Sequence, residues 1–135
     1  MSCSVSYANR PGTGTAGTRR AGVLNERELL IRLNSDGDLL AEIADLYMTN
    51  APVMLCHVRQ VAADRDGAAL ERGAHALAGM AANLCAADAE AAARRLERMG
   101  HDGDLSGLNE ALATLEAEFA FLTEAIAGLR INNAA

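Results

Sequence analysis

The chain has no lysine and no tryptophan, and only two phenylalanines, two tyrosines and two prolines among its 135 residues. Aromatic side chains therefore cannot build the core, which must be filled by Leu, Ala, Ile, Val and Met. Half of the residues are apolar, and a composition rich in Ala and Leu favours closely packed helices. No apolar run approaches the roughly 20 residues of a membrane-spanning helix. The N-terminus also lacks the apolar segment of a secretory signal.

Cysteine usage and charge exclude further classes of protein. Three cysteines without a CxxC spacing indicate neither a disulfide framework nor a zinc site, so we expect no metal and a reducing cytoplasm. The net charge is −6, and all twelve basic residues are arginines. Three of these lie in the first 22 residues, which contain no acid, so the remainder carries −9. An acidic body argues against a nucleic-acid-binding face but leaves protein partners open.

The chain is expected to contain one folded domain between two short tails. Residues 1–22 are rich in Gly, Ser and Thr and show no hydrophobic period, which predicts a disordered tail. The domain is expected over 23–131, followed by a disordered C-terminus at 132–135. The initial Met and the short tails favour a free-standing protein over a domain excised from a longer chain.

Hydrophobic periodicity predicts five helices and no strand. The capping-box spacing of Asn25 and Glu28 predicts a short helix over 26–33. Four longer helices are predicted at 38–63, 68–84, 89–99 and from 108 to at least 129. Pro52 is expected to kink or split the first of these, and Gly100–Gly103 to break the chain after the third. The fold predicted is an all-α, up-down antiparallel four-helix bundle with a short additional N-terminal helix.

Regular apolar spacings predict which face of each helix is buried. In the last helix, seven apolar residues alternate spacings of four and three. In the first long helix, the residues expected near the buried stripe are Leu39, Ile43, Leu46, Met54, Val58 and Val61. In the next helix the stripe contains Leu70, Ala74, Leu77, Ala81 and Leu84. At about 100° per residue, His75 lies about 140° from Leu70 and is expected to face solvent.

The neighbours of His75 on the same predicted face are unusually small. Ala78, Gly79 and Ala82 follow it by three, four and seven residues, where long polar side chains are usual. A glycine in the middle of a helix costs about 1 kcal/mol relative to alanine. One reason to keep it is to clear space for a docking protein, and an alternative is that Gly79 permits close helix packing. A neutral imidazole nitrogen is a good nucleophile, and phosphoryl transfer requires mainly positioning and charge neutralisation.

The stretch from Ala74 to Ala86 resembles the core motif of the histidine-containing phosphotransfer (HPt) family. It reads Ala-His-Ala-Leu-Ala-Gly-Met-Ala-Ala-Asn-Leu-Cys-Ala, where the family typically has Ala-His-x-Leu-Lys-Gly-x-Ala-x-x-Leu-Gly-Ala. The pair Ala51-Pro52 and the pair Leu96-Glu97 also resemble the family, and the resemblance covers about 24–129.

This resemblance implies a four-helix bundle whose exposed His75 accepts a phosphoryl group, on its outer ring nitrogen, from a receiver-domain aspartate. It implies a phosphocarrier without autokinase activity, and the chain has no Gly-rich nucleotide loop. The implied partners are response-regulator receiver domains and a hybrid sensor histidine kinase, with no nucleic acid and no membrane. No cofactor is expected in this chain, since the receiver supplies Mg²⁺, and a monomer is the family default. The residues expected to dock the partner are Glu71, Arg72, Ala78, Gly79, Ala82 and Asn83.

Two residues depart from the family pattern. The usual lysine three residues after the histidine is Ala78, and Arg72 could only partly replace its charge because Glu71 is adjacent. We therefore expect slower transfer, or a less stable phosphorylated form, than in relatives with this lysine. The second departure is Cys85 in place of glycine, with a minor effect expected at a helix end.

Two other functions remain open on sequence grounds. The chain could be an HPt-like adaptor that binds receiver or kinase domains without carrying phosphate. It could also be an unrelated helical-bundle interaction protein in which His75 is incidental. The remaining histidines are assigned no role, since His57 is expected to be partly buried packing and His101 to be solvated in a loop.

Overall fold

A computed structural model describes residues 22–132 and contains five helices over this range, with no strand. The helices are α1 (Glu26–Arg32), α2 (Gly37–Ala63), α3 (Gly67–Asn83), α4 (Ala87–Asp102) and α5 (Leu108–Asn132). The prediction of an all-α bundle preceded by a short helix is confirmed. The predicted tails, 1–22 and 132–135, lie outside the described residues except for Gly22 and Asn132. Within the described range, no helix is both long enough and apolar enough to cross a membrane.

Short polar side chains set where the first three helices begin. The Asn25 side chain accepts a hydrogen bond from the backbone N–H of Glu28 at 3.1 Å. Asp36 caps α2 in the same way, and Asp66 accepts from Ala69 at the start of α3. Such N-caps satisfy backbone donors that have no partner inside the helix. The predicted starts of α1, α2 and α3 are therefore correct to within one residue.

The four long helices enclose one core of leucine and alanine. Helix α3 packs against α2 and α4, and α5 packs against the same two helices, so the bundle is closed. Phe119 is fully buried and is the largest side chain of this core. The hydroxyl of Tyr47 lies 2.8 Å from Oγ1 of Thr123 and donates to the carbonyl of Phe119 at 3.3 Å, which ties α2 to α5.

The buried face of α2 differs in part from the one predicted. Leu39 is 38% exposed and Leu46 is 56% exposed, so these two do not belong to the core. Val58 and Val61 are buried as predicted, but the other buried residues are Leu40, Ala44, Tyr47, Ala51, Leu55 and Ala62, most of them one position after a predicted one. The sequence contains both rows, and alanines do not distinguish a core position from a surface one. Nor does Pro52 split the helix, which runs unbroken from Gly37 to Ala63.

Helix α4 extends three residues beyond its predicted end, because Gly100 is a packing residue and not a helix breaker. A Cβ built on Gly100 would lie 2.5 Å from the carbonyl oxygen of Gly67 and 2.7 Å from the backbone nitrogen of Glu71. Only a glycine lets α3 and α4 approach this closely, backbone against backbone. The helix ends instead at Gly103, whose φ of 72° is the left-handed conformation common at helix C-termini.

Helix α1 is anchored to the C-terminal end of α3. The backbone N–H of Asn25 donates to the carbonyl of Cys85 at 3.0 Å. The side chain of Arg32 donates to the carbonyl of Ala82 at 3.1 Å. The last carbonyls of a helix have no partner inside it, so the Ala82 contact supplies one from a distant part of the chain. This anchoring fixes the C-terminal end of the helix that carries His75.

Candidate functional site

His75 lies in the middle of α3 with its side chain 68% exposed. The opposite face of the helix is buried, and its residues include Leu70, Ala74, Leu77 and Ala81. The imidazole is therefore presented outward from a helix whose position is fixed by the core. A rigid helix holds a reactive group more accurately than a loop does.

Glu97 of α4 contacts the imidazole of His75 at the ring atom Nδ1. Nδ1 of His75 lies 2.8 Å from Oε2 of Glu97, whose side chain is only 22% exposed. The sequence offered no reason to join these two residues, since they are on different helices and 22 positions apart. The only available signal was the resemblance of the pair Leu96-Glu97 to the family pattern.

Arg94 holds the second oxygen of the same carboxylate. Its Nη1 donates to Oε1 of Glu97 at 2.9 Å, while its Nη2 lies 3.5 Å from Oε2 of Glu90. The hydrogen bond from Arg94 and, second, the one from His75 hold the pKa of Glu97 below its usual range. An ionised carboxylate only accepts hydrogen bonds, so Nδ1 of His75 carries the proton of the bond. In the neutral ring, Nε2 is then left with its lone pair.

A second acid–histidine pair lies one helical turn away. Nδ1 of His101 on α4 lies 3.1 Å from Oε2 of Glu71 on α3, and the histidine side chain is 71% exposed. His101 was expected to be solvated in a loop, but it belongs to the last turn of α4 and faces a carboxylate. The two pairs show the antiparallel register, in which position 71 faces 101 and position 75 faces 97.

The other residues expected at the site occupy different environments. Arg72 and Asn83 are exposed, whereas Glu71, Gly79 and Ala82 are half-buried.

The expectation that Ala78 faces solvent and contacts a partner is wrong, because this residue is completely buried. Helix α3 packs against α4 as well as α2, so its buried face is wider than the leucine stripe alone suggests. A lysine at this position would have to extend its ammonium group past the packed helices to reach water.

A glycine near His75 can either clear space for a docking protein or allow close helix packing. Gly79 and Gly73 differ in which of these explanations fits. A Cβ built on Gly79 would meet nothing within 4 Å, so close helix packing does not explain this glycine. A Cβ on Gly73 would lie 3.0 Å from Cγ2 of Val58 and 3.3 Å from Cδ2 of His57. His57 therefore lies over Gly73, and it is exposed instead of partly buried as expected. The surface beside His75 is open at Gly79.

The site presents one nucleophilic nitrogen, Nε2 of His75, on an accessible surface. The proton on Nδ1 is fixed by an ionised carboxylate, which in turn is held by a guanidinium group. A carboxylate that orients a histidine and stabilises its cationic form is a recurring device in nucleophilic catalysis. No group of three or more metal-ligating side chains occurs within 22–132.

Comparison with known protein families gives one match that covers most of the chain. Residues 37–130 match the family model described as Hpt domain. This range includes α2, α3 and α4 and almost all of α5, and it contains His75, Glu97 and Arg94. No match was found among curated proteins or among solved structures.

Proposed function

The chain belongs to the Hpt domain family, and from this we propose that it is a phosphorelay intermediate whose phosphoryl-accepting atom is Nε2 of His75. Hpt domains are phosphocarrier modules of two-component signalling, not enzymes, and they interact with receiver domains and kinases. To this family role the proposal adds which residue and which atom accept the phosphoryl group, and that the donor is a receiver domain. The observation that carries it is the contact between Nδ1 of His75 and Glu97, which directs the free lone pair to the exposed nitrogen.

The proposed transfer begins with the phosphoaspartate of a receiver domain, whose active site supplies Mg²⁺. The Nε2 lone pair of His75 attacks phosphorus in line with the bond to the aspartate oxygen. The N–P bond forms while the P–O bond breaks, and the electron pair leaves with the aspartate as a carboxylate. The ring becomes cationic because Nδ1 keeps its proton. Glu97, which already accepts that proton in a hydrogen bond, stabilises the new positive charge.

The surface of α3 around His75 is the proposed docking surface for the receiver domain. Arg72 lies one turn before His75 and is exposed, and Gly79 lies one turn after it with open space above it. Ala82, Asn83 and Glu71 extend this surface along the helix. Ala78 is excluded from the contact because it is buried. The body of the domain is acidic, so Arg72 gives this surface one of its few positive charges for the phosphorylated partner.

The decisive experiment compares phosphoryl transfer from phosphorylated receiver domains to the wild-type chain and to His75→Gln. We expect an acid-labile, base-stable phosphate on the wild type and none on the variant. His101→Gln is the matched control, because it removes an equally exposed histidine that also faces a carboxylate. Label that persists in His75→Gln but disappears in His101→Gln would move the site to α4. A folded wild-type chain that accepts no label from a broad panel of receivers would overturn the relay function.

One observation favours an adaptor that binds receivers without carrying phosphate. Position 78 is a buried alanine, so α3 presents no ammonium group beside His75, and the chain has no lysine elsewhere. In that case receivers would bind with measurable affinity, His75→Gln would bind equally well, and neither protein would be labelled. The same panel of receivers, analysed by titration calorimetry alongside the transfer assay, separates the two functions.

A further inference from the structure

We propose that Arg94 is a positioning residue of the phosphotransfer site, which acts on His75 through Glu97. The inference rests on the proposed function for its consequence in transfer, but the positioning itself is a property of the unphosphorylated protein. Arg94 did not belong to the site expected from sequence. In the structure, Arg94 and His75 bind the same carboxylate, that of Glu97.

The geometry is a chain of three side chains in which each oxygen of Glu97 has its own partner. Oε2 accepts from Nδ1 of His75 at 2.8 Å, and Oε1 accepts from Nη1 of Arg94 at 2.9 Å. A carboxylate held at one oxygen only can rotate about its last side-chain bond. With both oxygens occupied, the plane of the carboxylate is fixed, and with it the orientation of the imidazole ring.

Arg94 also balances the charge that Glu97 places beside the incoming phosphoryl group. A carboxylate next to the imidazole stabilises the cationic ring but repels the phosphoryl oxygens. A guanidinium bonded to that carboxylate offsets the repulsion and keeps Glu97 ionised, as its lowered pKa shows. In the antiparallel register, Arg94 lies opposite position 78 of α3, which is occupied by a buried alanine. Helix α4 thus supplies a positive charge that the facing turn of α3 lacks.

The neighbouring pair of Glu71 and His101 provides an internal comparison. It repeats the contact between a carboxylate and Nδ1 at 3.1 Å, with an equally exposed histidine. Among the described residues, however, no arginine is paired with Glu71. The two histidines therefore differ in whether their carboxylate is itself held, and this difference isolates what Arg94 contributes.

The test measures the tautomer of each histidine by ¹⁵N NMR of the unphosphorylated protein near neutral pH. We expect Arg94→Met to lower the share of His75 molecules with the proton on Nδ1 and to leave His101 unchanged. Arg94→Lys, which can still donate to Glu97, should restore most of the wild-type signal. The matched control is Arg95→Met, which removes an arginine from the same helix whose carboxylate partner is Glu110 of α5 at 3.1 Å. It should leave both histidines unchanged.

The same variants are then assayed for transfer from a phosphorylated receiver. At metal sites, removing an outer contact that orients a ligating histidine typically costs about tenfold or more, and by analogy we expect Arg94→Met to slow transfer about tenfold. Arg94 and Glu97 lie three residues apart on one helix, with side chains 38% and 22% exposed. Ion pairs at this helical spacing add only about 0.2–0.5 kcal/mol, so the melting temperature of Arg94→Met should stay close to that of the wild type.

An unchanged His75 tautomer in a folded Arg94→Met protein would overturn the positioning role, as would an equal change in Arg95→Met. A wild-type chain that accepts no phosphate would instead overturn the relay function, and the tautomer result would stand independently. A tautomer shift with full transfer activity would show that the orientation of Glu97 does not limit the reaction, which also contradicts the proposal.

Discussion

Replacing Gly79 should stabilise the protein while impairing its function. Gly79 is inside α3, where alanine is favoured over glycine by about 1 kcal/mol. The added methyl group would meet nothing within 4 Å, so no steric cost opposes this gain. For a domain of about this size, 1 kcal/mol corresponds to a rise of about 4 °C in Tm. Thermal unfolding followed by circular dichroism measures this directly.

Gly128 provides the matched control for this prediction. It lies inside α5, and a Cβ built on it also meets nothing within 4 Å. Gly128→Ala should therefore raise Tm by a similar amount without changing phosphoryl transfer. If Gly79 is kept for docking, longer side chains should reveal it. Gly79→Gln should slow transfer from a phosphorylated receiver, whereas Gly128→Gln should not.

Two results would refute this reasoning at different points. If Gly79→Ala does not raise Tm while Gly128→Ala does, the glycine has a structural role that its open surroundings do not show. If Gly79→Gln is folded and transfers phosphate at the wild-type rate, the docking surface does not include this turn of α3. The surface would then have to be sought on other exposed residues around His75.

Two further predictions concern the contacts between α3 and α4. Gly100→Ala should destabilise the domain by about 1–3 kcal/mol, because its Cβ would lie 2.5 Å from a backbone oxygen that cannot move independently. Urea unfolding measures this loss, and an unfolding free energy equal to that of the wild type would contradict the packing. For Glu97, a folded-state pKa below the unfolded value means that its carboxylate stabilises the fold at neutral pH, and that this contribution is lost as the pH falls through the lowered pKa. The difference in unfolding free energy between wild type and Glu97→Gln should therefore shrink below about pH 4, and a difference independent of pH would refute the assignment.

The sequence predicted the helices well because their signals are local. Caps such as Asn25, Asp36 and Asp66 act within three residues of themselves, and the alternating apolar spacing of α5 extends over its whole length. The predicted end of α4 was wrong because a glycine such as Gly100 can play either of two structural roles. A glycine at this place in a pattern can end a helix or admit a neighbouring backbone, and only the tertiary structure shows which.

The candidate site was predicted only as far as one helix could reveal it. His75 itself stands out by its position relative to Leu70, but Ala78 was placed on the wrong face. Alanine is compatible with both core and surface, so the width of a buried stripe cannot be read from an alanine-rich helix. Glu97 and Arg94 were not linked to His75, because contacts between helices depend on their register. That register is set by packing at places such as Gly67 and Gly100, which carry no chemical signal of their own.

The crossing of Gly67 and Gly100 has a consequence for how the domain tolerates sequence change. At this point the separation of α3 and α4 is set by main-chain atoms, which are the same whatever side chains surround them. Substitutions in the leucine and alanine core can alter side-chain volumes without altering this spacing, provided both glycines remain. The distance between the imidazole of His75 and the carboxylate of Glu97 therefore does not depend on which apolar residues fill the core. Related chains could diverge widely in core composition and still preserve the same hydrogen bond.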